Sequence, residues 1–93
     1  MYNWQAIMED EHKFTVYKHT NKINGKIYVG ITGVGVYNRW GKNGVNYLRD
    51  KCRFSYAIRK YGWGNFTHEI LFENLTREDA CQKEIQLIKE WNL

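Results

Sequence analysis

The sequence contains no proline and no low-complexity stretch, and it has only two cysteines, Cys52 and Cys81. The absence of biased segments argues against disorder, and 93 residues leave room for one folded domain with a modest core. The cysteines are far apart and lack the spacing of a zinc knuckle or a redox pair. We therefore expect both to be reduced residues of the core.

Long apolar segments and a secretory leader are also missing. No run approaches the roughly eighteen apolar residues of a transmembrane helix. Residues 1–10 are polar and acidic rather than signal-like. We expect a cytoplasmic protein without a membrane partner. The net charge of +4 favours a polyanionic partner without identifying it.

A hairpin is the first structure that the pattern predicts. Residues 13–19 and 26–32 are rich in β-branched and aromatic side chains, which is typical of strands. An Asn-Gly dipeptide beginning at Asn24 lies between them and is a strong turn signal, because both residue types tolerate positive φ angles. If the loop has an even number of residues, Tyr17 and Tyr28 lie on one face of the hairpin, and we predict that they do.

The remaining chain predicts three helices and a third strand. A short helix carrying Arg39 follows the hairpin, and an amphipathic helix then ends at Gly62, a residue suited to a left-handed C-terminal position. Residues 66–72 predict a strand. Residues 76–91 predict a last helix that begins with a threonine cap.

Glu84 is an anomaly within this last helix. Advancing about 100° per residue places it inside an apolar arc, formed by Ala80, Cys81, Ile85, Leu87, Ile88 and Trp91. A carboxylate there is costly unless a cation, a bound metal or a strong donor offsets its desolvation. The pattern leaves two alternatives open, a metal ligand or an ion pair with Arg39 or a lysine.

Together these features resemble the GIY-YIG nuclease family over residues 14–91. The resemblance rests on blocks in a fixed order: Val16-Tyr17, Tyr28-Val29-Gly30, Asn38-Arg39-Trp40, Arg59-Lys60-Tyr61-Gly62 and Glu84. It implies an α+β fold in which a small three-stranded antiparallel sheet is flanked by helices. The nuclease domain would comprise residues 13–93, after an N-terminal arm of residues 1–12.

The resemblance also implies roles for individual residues. Glu84 would bind one divalent cation, Mg²⁺ or Mn²⁺, and Arg39 would hold a phosphate oxygen. Tyr17 and Tyr28 would activate water and position water or phosphate, with their roles left open between them. A tyrosine with a pKa of about 10 needs a nearby cation to act as a base, so we expect an electropositive site. Separately, we expect nucleic acid to contact six residues: Lys26, Arg39, Lys42, Asn43, Arg53 and Arg59. A solvated helix face is an equal alternative for Lys42, Arg53 and Arg59.

Some positions depart from the family pattern. Thr15 replaces the first glycine of the motif, which a strand tolerates. Asn43 stands where many members have a histidine, and an amide cannot shuttle a proton. His19, two residues beyond Tyr17 on the same strand face, is our catalytic candidate for that function; a partly exposed strand histidine is the equal alternative. Many members also carry an asparagine beyond the last helix, and this chain ends at Leu93.

We therefore predict a metal-dependent endonuclease that hydrolyses DNA with little sequence readout of its own. No zinc motif, basic helix or helix-turn-helix remains in the sequence, so specificity would be weak, based on DNA structure, or supplied by a separate domain or protein. The alternative is a catalytically silent nucleic-acid-binding module, and RNA is a further substrate to test. His68 is predicted to be a core or boundary residue. Base stacking is left open for six aromatic residues: Tyr37, Trp40, Tyr47, Tyr56, Tyr61 and Trp63.

Overall fold

The computed structural model describes residues 12–93. The arm predicted for residues 1–12 therefore lies outside the described residues except at its last position. Within the described part, strands and helices follow in this order: β1 (Phe14–Asn21), β2 (Ile27–Thr32), α1 (Val36–Trp40), α2 (Arg53–Tyr61), β3 (Phe66–Leu75) and α3 (Arg77–Glu90). Short 3₁₀ segments at Lys42–Tyr47 and Trp63–Asn65 flank α2. The predicted α+β class is confirmed.

The sheet is antiparallel, with β1 in the centre and the order β2-β1-β3. Tyr17 pairs with Gly30, and His19 pairs with Tyr28 on β2 and with His68 on β3. Residues that pair across antiparallel strands share a face, as do alternate residues along one strand. Both tyrosines and both histidines therefore lie on one face of the sheet, and the same-face prediction is confirmed.

The hairpin loop owes its geometry to one asparagine and one glycine. The Asn21 N–H donates to the Lys26 carbonyl at 2.8 Å, which leaves a loop of four residues, 22–25. The Asn21 side chain accepts a backbone N–H from within the loop at 2.8 Å, so it folds the chain as an Asx turn does. Of the predicted Asn-Gly pair, only Gly25 has a positive φ, 77°. The even loop length is what aligns the two tyrosines.

Helices cover both faces of the sheet. The hydrophobic core lies on the tyrosine face, where α2 and its flanking segments bury five residues together: Tyr47, Phe54, Ala57, Ile58 and Phe66. The opposite face carries α3. There the Lys83 ammonium lies 4.9 Å from the Phe72 ring, and the Lys18 ammonium lies 5.1 Å from the Trp91 ring. Within residues 12–93, no helix has both the length and the apolar character needed to span a bilayer.

The α3 helix begins with the predicted cap, but its apolar side chains are less buried than predicted. The Thr76 hydroxyl accepts the Asp79 N–H at 3.1 Å, as the cap signal predicted. Ala80 is fully buried, but Ile85 is 60% exposed, so its assignment to a buried arc is wrong. The buried stripe is narrower than the sequence predicted, since Ile88 is also 37% exposed.

Both cysteines are free, as predicted, but their burial differs. Cys81 is half-buried, whereas Cys52 is exposed, so the prediction of a core residue is wrong for Cys52. Cys52 precedes α2 as its N-cap, and its N–H donates to the Ser55 hydroxyl at 3.0 Å. Cys52 lies one residue before the first turn of α2, outside the buried face of the helix.

Candidate active site

A pocket of about 800 Å³ runs along the edge strand β2. Five predicted catalytic residues line it together: Tyr17, His19, Tyr28, Arg39 and Glu84. They come from β1, β2, α1 and α3, so the fold brings sequence-distant groups into one cavity. The basic side chains of Lys26, Arg39 and Arg53 line it against one acidic side chain, which agrees with the expected electropositive site.

Tyr17 is positioned by a close approach to β2. Its ring lies over Gly30, where an added Cβ would be 2.6 Å from the Tyr17 hydroxyl oxygen. The glycine of the second sequence block therefore makes room for the phenol of the first. The Tyr17 and Tyr47 hydroxyl oxygens are 3.1 Å apart, within hydrogen-bonding distance. The side chain is buried, with 4% of its surface exposed.

Burial also decides the ionisation of Tyr17. It raises the pKa of Tyr17 above its usual value, and the hydrogen bond with Tyr47 and the charge of Arg39 offset this only in part. The nearby Glu84 carboxylate adds to the increase in this pKa. Arg39 thus favours the phenolate, as expected, but not enough to make it the resting form. At neutral pH Tyr17 is a neutral phenol.

Tyr28 is more open to the pocket than Tyr17. Its ring packs on Phe54, with centroids 5.0 Å apart, and burial raises the pKa of Tyr28. Between residues 12 and 93, no protein group hydrogen bonds with its hydroxyl. The two tyrosines therefore differ, because one hydroxyl is engaged by the protein and the other is free to meet a ligand.

Arg39 is held at the side of the pocket by a ring and a carboxylate. It lies on α1, a helix of five residues between Gly35 and Gly41, which have φ angles of 85° and 72°. The guanidinium carbon is 4.2 Å from the Tyr47 ring centroid, and Nη2 donates to Asp50 Oδ2 at 3.1 Å. Burial alone would lower the pKa of Arg39. Tyr17, Tyr47 and Asp50 outweigh burial, so the pKa of Arg39 is raised.

Glu84 is the acidic side chain of the pocket lining. In the part of the chain that the structure describes, its carboxylate makes no hydrogen bond and no salt bridge. Arg39 pairs with Asp50 instead, so the ion-pair alternative for Glu84 is wrong. The side chain is half-buried, and burial raises the pKa of its carboxyl.

The surroundings of Glu84 limit the kind of metal that it could hold. No group of three or more His, Cys, Asp or Glu side chains that could hold a metal occurs within residues 12–93. A site with a single protein carboxylate suits Mg²⁺, which retains several waters and takes other ligands from substrate phosphates. It does not suit zinc, which takes three or four protein ligands. The residues present therefore fit a hard divalent cation.

His19 lies in the interior rather than at the surface. It is 1% exposed and stacks on Phe54, with ring centroids 4.2 Å apart and planes 4° apart. Its Nε2 is 3.1 Å from the Tyr47 hydroxyl, and its Nδ1 is 2.8 Å from His68 Nδ1. Burial, followed by His68 and Arg39, lowers the pKa of His19 to about 3. The partly exposed alternative for His19 is therefore wrong.

His68 is a boundary residue, as predicted. It is half-buried, stacks on Trp63 with ring centroids 3.7 Å apart, and its Nε2 is 3.3 Å from the Trp63 carbonyl oxygen. Burial lowers the pKa of His68. Both histidines are therefore neutral at neutral pH, and both nitrogen atoms of each imidazole are engaged.

The predicted nucleic-acid contacts divide into two groups. Lys26, Arg39 and Arg53 line the pocket. Lys42 and Asn43 are exposed on the 3₁₀ segment outside the pocket lining, so Asn43 does not join the other candidates. Arg59 lies outside the lining too, where it donates to the Leu48 carbonyl.

Tyr47 is the residue that the sequence did not single out. The expectation that its ring is open to bases is wrong, because it is 3% exposed and contacts Tyr17, His19 and Arg39. Gly44 is the local sequence signal, since the segment bends there with a φ of 74° and an added Cβ would collide with the Trp63 ring. That kink turns the segment inward. Base stacking remains open for the exposed Tyr37 and Tyr56.

Comparisons with known proteins agree with this arrangement. Residues 13–93 match the family described as "GIY-YIG catalytic domain". The chain is 33% identical over 78 residues to "Putative endonuclease segD" and 38% identical over 73 residues to "Putative endonuclease segE", both of Enterobacteria phage T4. These alignments cover 84% and 78% of this chain but 32% and 33% of those proteins. The chain thus spans about a third of the length of these relatives. No solved structure matches it.

Proposed function

This chain belongs to the GIY-YIG catalytic-domain family, and we propose that it is an endonuclease that hydrolyses DNA phosphodiester bonds with a divalent cation, Mg²⁺ or Mn²⁺. The names of its phage relatives support cleavage of nucleic acid. The convergence of two phenols, a guanidinium and a lone carboxylate in one pocket supports a hydrolytic site.

The unpartnered carboxylate of Glu84 is the observation that carries the proposal. A pocket that only bound phosphate would gain nothing from a negative side chain, because it would repel the ligand and lose hydration on burial. A cation held between Glu84 and the phosphate removes both penalties. When bound, that cation would supply Lewis-acid stabilisation of the charge that builds up on the phosphate.

The remaining residues have separate roles in this proposal. Arg39 retains guanidinium donors beyond its bond to Asp50, and these suit a non-bridging phosphate oxygen. The free hydroxyl of Tyr28 orients water or phosphate. Tyr17, which the protein already holds through Tyr47, receives a proton from the attacking water and must pass on its own hydroxyl proton, because its resting form is the neutral phenol. Protein contacts hold Tyr17 and Arg39 before substrate arrives, and such preorganisation of polar groups contributes to the rate.

In this proposal, the DNA target is selected by a group other than the pocket residues. Lys26 and Arg53 carry charge towards the phosphates, and phosphate contacts fix position without reading bases. We therefore propose weak intrinsic sequence specificity, with a separate domain or partner protein supplying the target. A cytoplasmic location stays a prediction.

A substrate panel tests the proposal. Wild type, Arg39→Ala and Glu84→Ala are compared on single-stranded, duplex and branched DNA and on duplex RNA, with Mg²⁺, with Mn²⁺ and with chelator. Wild type should cut DNA only with a cation, and each variant should lose about 10²-fold or more in rate while staying folded by circular dichroism. Arg77→Ala and Glu73→Ala are matched controls, because they remove the same charges outside the pocket lining.

The possible results separate the alternatives. Equal cutting by all proteins would identify a contaminating nuclease and overturn the proposal. Binding without cleavage under every condition would support the catalytically silent module instead. Cleavage of RNA alone would change the substrate class but keep the site.

A further inference from the structure

Four polar side chains form a continuous hydrogen-bonded chain from the pocket into the protein. The Tyr17 and Tyr47 hydroxyl oxygens are 3.1 Å apart, and the Tyr47 hydroxyl is 3.1 Å from His19 Nε2. His19 Nδ1 is 2.8 Å from His68 Nδ1, and His68 Nε2 is 3.3 Å from the Trp63 carbonyl oxygen. Tyr17, His19 and Tyr47 are each less than 5% exposed, and His68 is half-buried. The chain therefore begins at the catalytic pocket and ends near solvent.

The direction of these hydrogen bonds is set at the far end. A carbonyl oxygen can only accept, so His68 must carry its proton on Nε2. In a neutral imidazole the Nδ1 of His68 is then an acceptor, and His19 must donate to it from Nδ1. His19 Nε2 in turn accepts from the Tyr47 hydroxyl. The Tyr47 oxygen is left to accept from Tyr17.

This direction has a consequence in the pocket. The Tyr17 proton is committed to the interior, so the remaining lone pair of its oxygen is available to the pocket. When His68 is protonated, both of its nitrogens donate and the order reverses along the whole chain. In that setting the Tyr47 hydroxyl donates to Tyr17. The same four groups thus support two complete sets of hydrogen bonds that differ by one proton.

We propose that Tyr17, Tyr47, His19 and His68 form a proton relay that carries the proton of the attacking water from the pocket to His68. This proposal rests on the proposed endonuclease function and adds Tyr47 and His68 to the residues that serve it. They act through Tyr17 and do not touch the substrate.

The transfer balances atom by atom. As the water oxygen bonds to phosphorus, its proton passes to the Tyr17 oxygen, and the Tyr17 proton passes to Tyr47. The Tyr47 proton moves to His19 Nε2, and the Nδ1 proton of His19 moves to His68, which becomes an imidazolium. The phosphorus bond to the leaving oxygen breaks, and that oxygen takes a proton from solvent. Release of one proton from His68 to solvent restores the starting charge.

The surroundings favour passage of the proton over storage. Arg39 and His68 both disfavour a positive charge on His19, and Lys22 disfavours one on His68. The Trp63 ring covers one face of His68, and Tyr47 and Phe54 enclose His19. His68 is the more exposed imidazole, so the charge leaves from there. The relay also explains how a buried neutral phenol accepts a proton without forming a phenolate first.

One test does not depend on activity. Nitrogen-15 NMR of labelled histidines at pH 7.5 reports which ring nitrogen carries the proton. We expect the Nδ1–H tautomer for His19 and the Nε2–H tautomer for His68. The Nε2–H tautomer at His19 under these conditions would overturn the relay, because His19 could then not accept from Tyr47.

A second test separates proton transfer from structural support. In His68→Gln, the amide oxygen can accept from His19 and the amide NH₂ can donate to the Trp63 carbonyl, so both hydrogen bonds remain but no proton can be taken up. We expect kcat to fall about 10²-fold with KM unchanged, and a similar fall for Tyr47→Phe. Added imidazole should restore cleavage to His68→Ala, which opens space at the exposed end, but not to Tyr47→Phe.

The outcomes distinguish the relay from the function beneath it. Wild-type kcat and an unchanged pH profile in His68→Gln would overturn the relay while the endonuclease stands. Absence of cleavage by wild type on every substrate would overturn the proposed function, and with it the catalytic role of the relay.

Discussion

The two sides of the pocket differ in how their polar groups are satisfied. On the sheet side, Tyr17 and His19 are hydrogen bonded to other side chains and are almost fully buried. On the helix side, Glu84 is half-buried and has no partner among residues 12–93. The hydrogen bonds of Tyr17 and His19 are thus complete within the protein, whereas the Glu84 carboxylate makes none with residues 12–93.

This difference indicates which groups the protein positions and which it reserves for a ligand. A satisfied buried hydrogen bond contributes about 1 kcal/mol and costs about 1–3 kcal/mol when one partner is removed. The sheet side should therefore be rigid and sensitive to substitution. An uncompensated carboxylate opposes folding, so the helix side should gain stability when its charge is removed or when a cation binds.

Glu84→Gln tests the helix side and should have the largest effect. Cleavage should fall by about 10²-fold or more, because a lost cation removes several kcal/mol of transition-state stabilisation. Stability at neutral pH should stay the same or rise. Burial raises the pKa of Glu84, so the folded state binds protons more readily than the unfolded chain. The wild-type carboxylate therefore lowers stability as pH rises above its unfolded pKa.

Single-turnover cleavage and urea unfolding at pH 5 and pH 8 measure both expectations for Glu84→Gln. Mg²⁺ should raise the melting temperature of wild type and not that of the variant. A marked loss of stability at pH 8 would mean that Glu84 has a partner in the folded protein, and the contrast between the two sides would disappear.

Gly30→Ala tests the sheet side without removing a polar group. The new methyl would lie 2.6 Å from the Tyr17 hydroxyl oxygen, so the phenol must move from its position in the pocket. A displacement of about 1 Å at a reacting group can cost about 10²-fold in rate. Gly64→Ala is the matched control, because no atom lies within 4 Å of its added Cβ.

Cleavage rates and the crystal structure of Gly30→Ala decide this prediction. Wild-type activity with a displaced Tyr17 would show that the exact position of the phenol is unimportant, and the sheet side would then be structural only.

The pH dependence of stability tests the burial of His19 without any substrate. The pKa of His19 is about 3 in the folded protein, below its usual 6.5, so protons bind the unfolded chain first. Its contribution to stability is complete above pH 6.5 and is lost as pH falls towards 3, by up to about 1.4 kcal/mol per pH unit. Urea unfolding between pH 4 and pH 7.5 should give a steeper slope for wild type than for His19→Gln. Equal slopes would place His19 in contact with solvent.

Local signals in the sequence predicted much of the fold. The β-branched runs gave both arms of the hairpin, Gly62 ended α2 with a φ of 86°, and Thr76 capped α3. Each of these features depends on residues within a few positions of one another. The sequence also predicted that Glu84 shares a site with Tyr17 and Arg39. This prediction was possible because the resemblance to a family implies which distant residues come together.

The hydrogen-bonded interior could not be predicted in the same way. His19 and His68 are 49 residues apart and meet only because β3 pairs with β1, with register shifts beside Val16. Tyr47 reaches them from a 3₁₀ segment whose non-helical kink at Asn43 and Gly44 follows no period. Contacts of this kind depend on packing between elements, which sequence spacing does not report.

The hairpin loop has an even number of residues, four, and this fold requires that number to stay even if the loop changes in length. Suppose that loop gains one residue, and the extra residue shifts the strand pairing instead of forming a bulge. Tyr28 would then turn to the opposite face of the sheet, away from Tyr17. Lengthening the loop by two would keep both phenols over the same cavity. Natural variation and engineering of this loop should therefore proceed in pairs of residues.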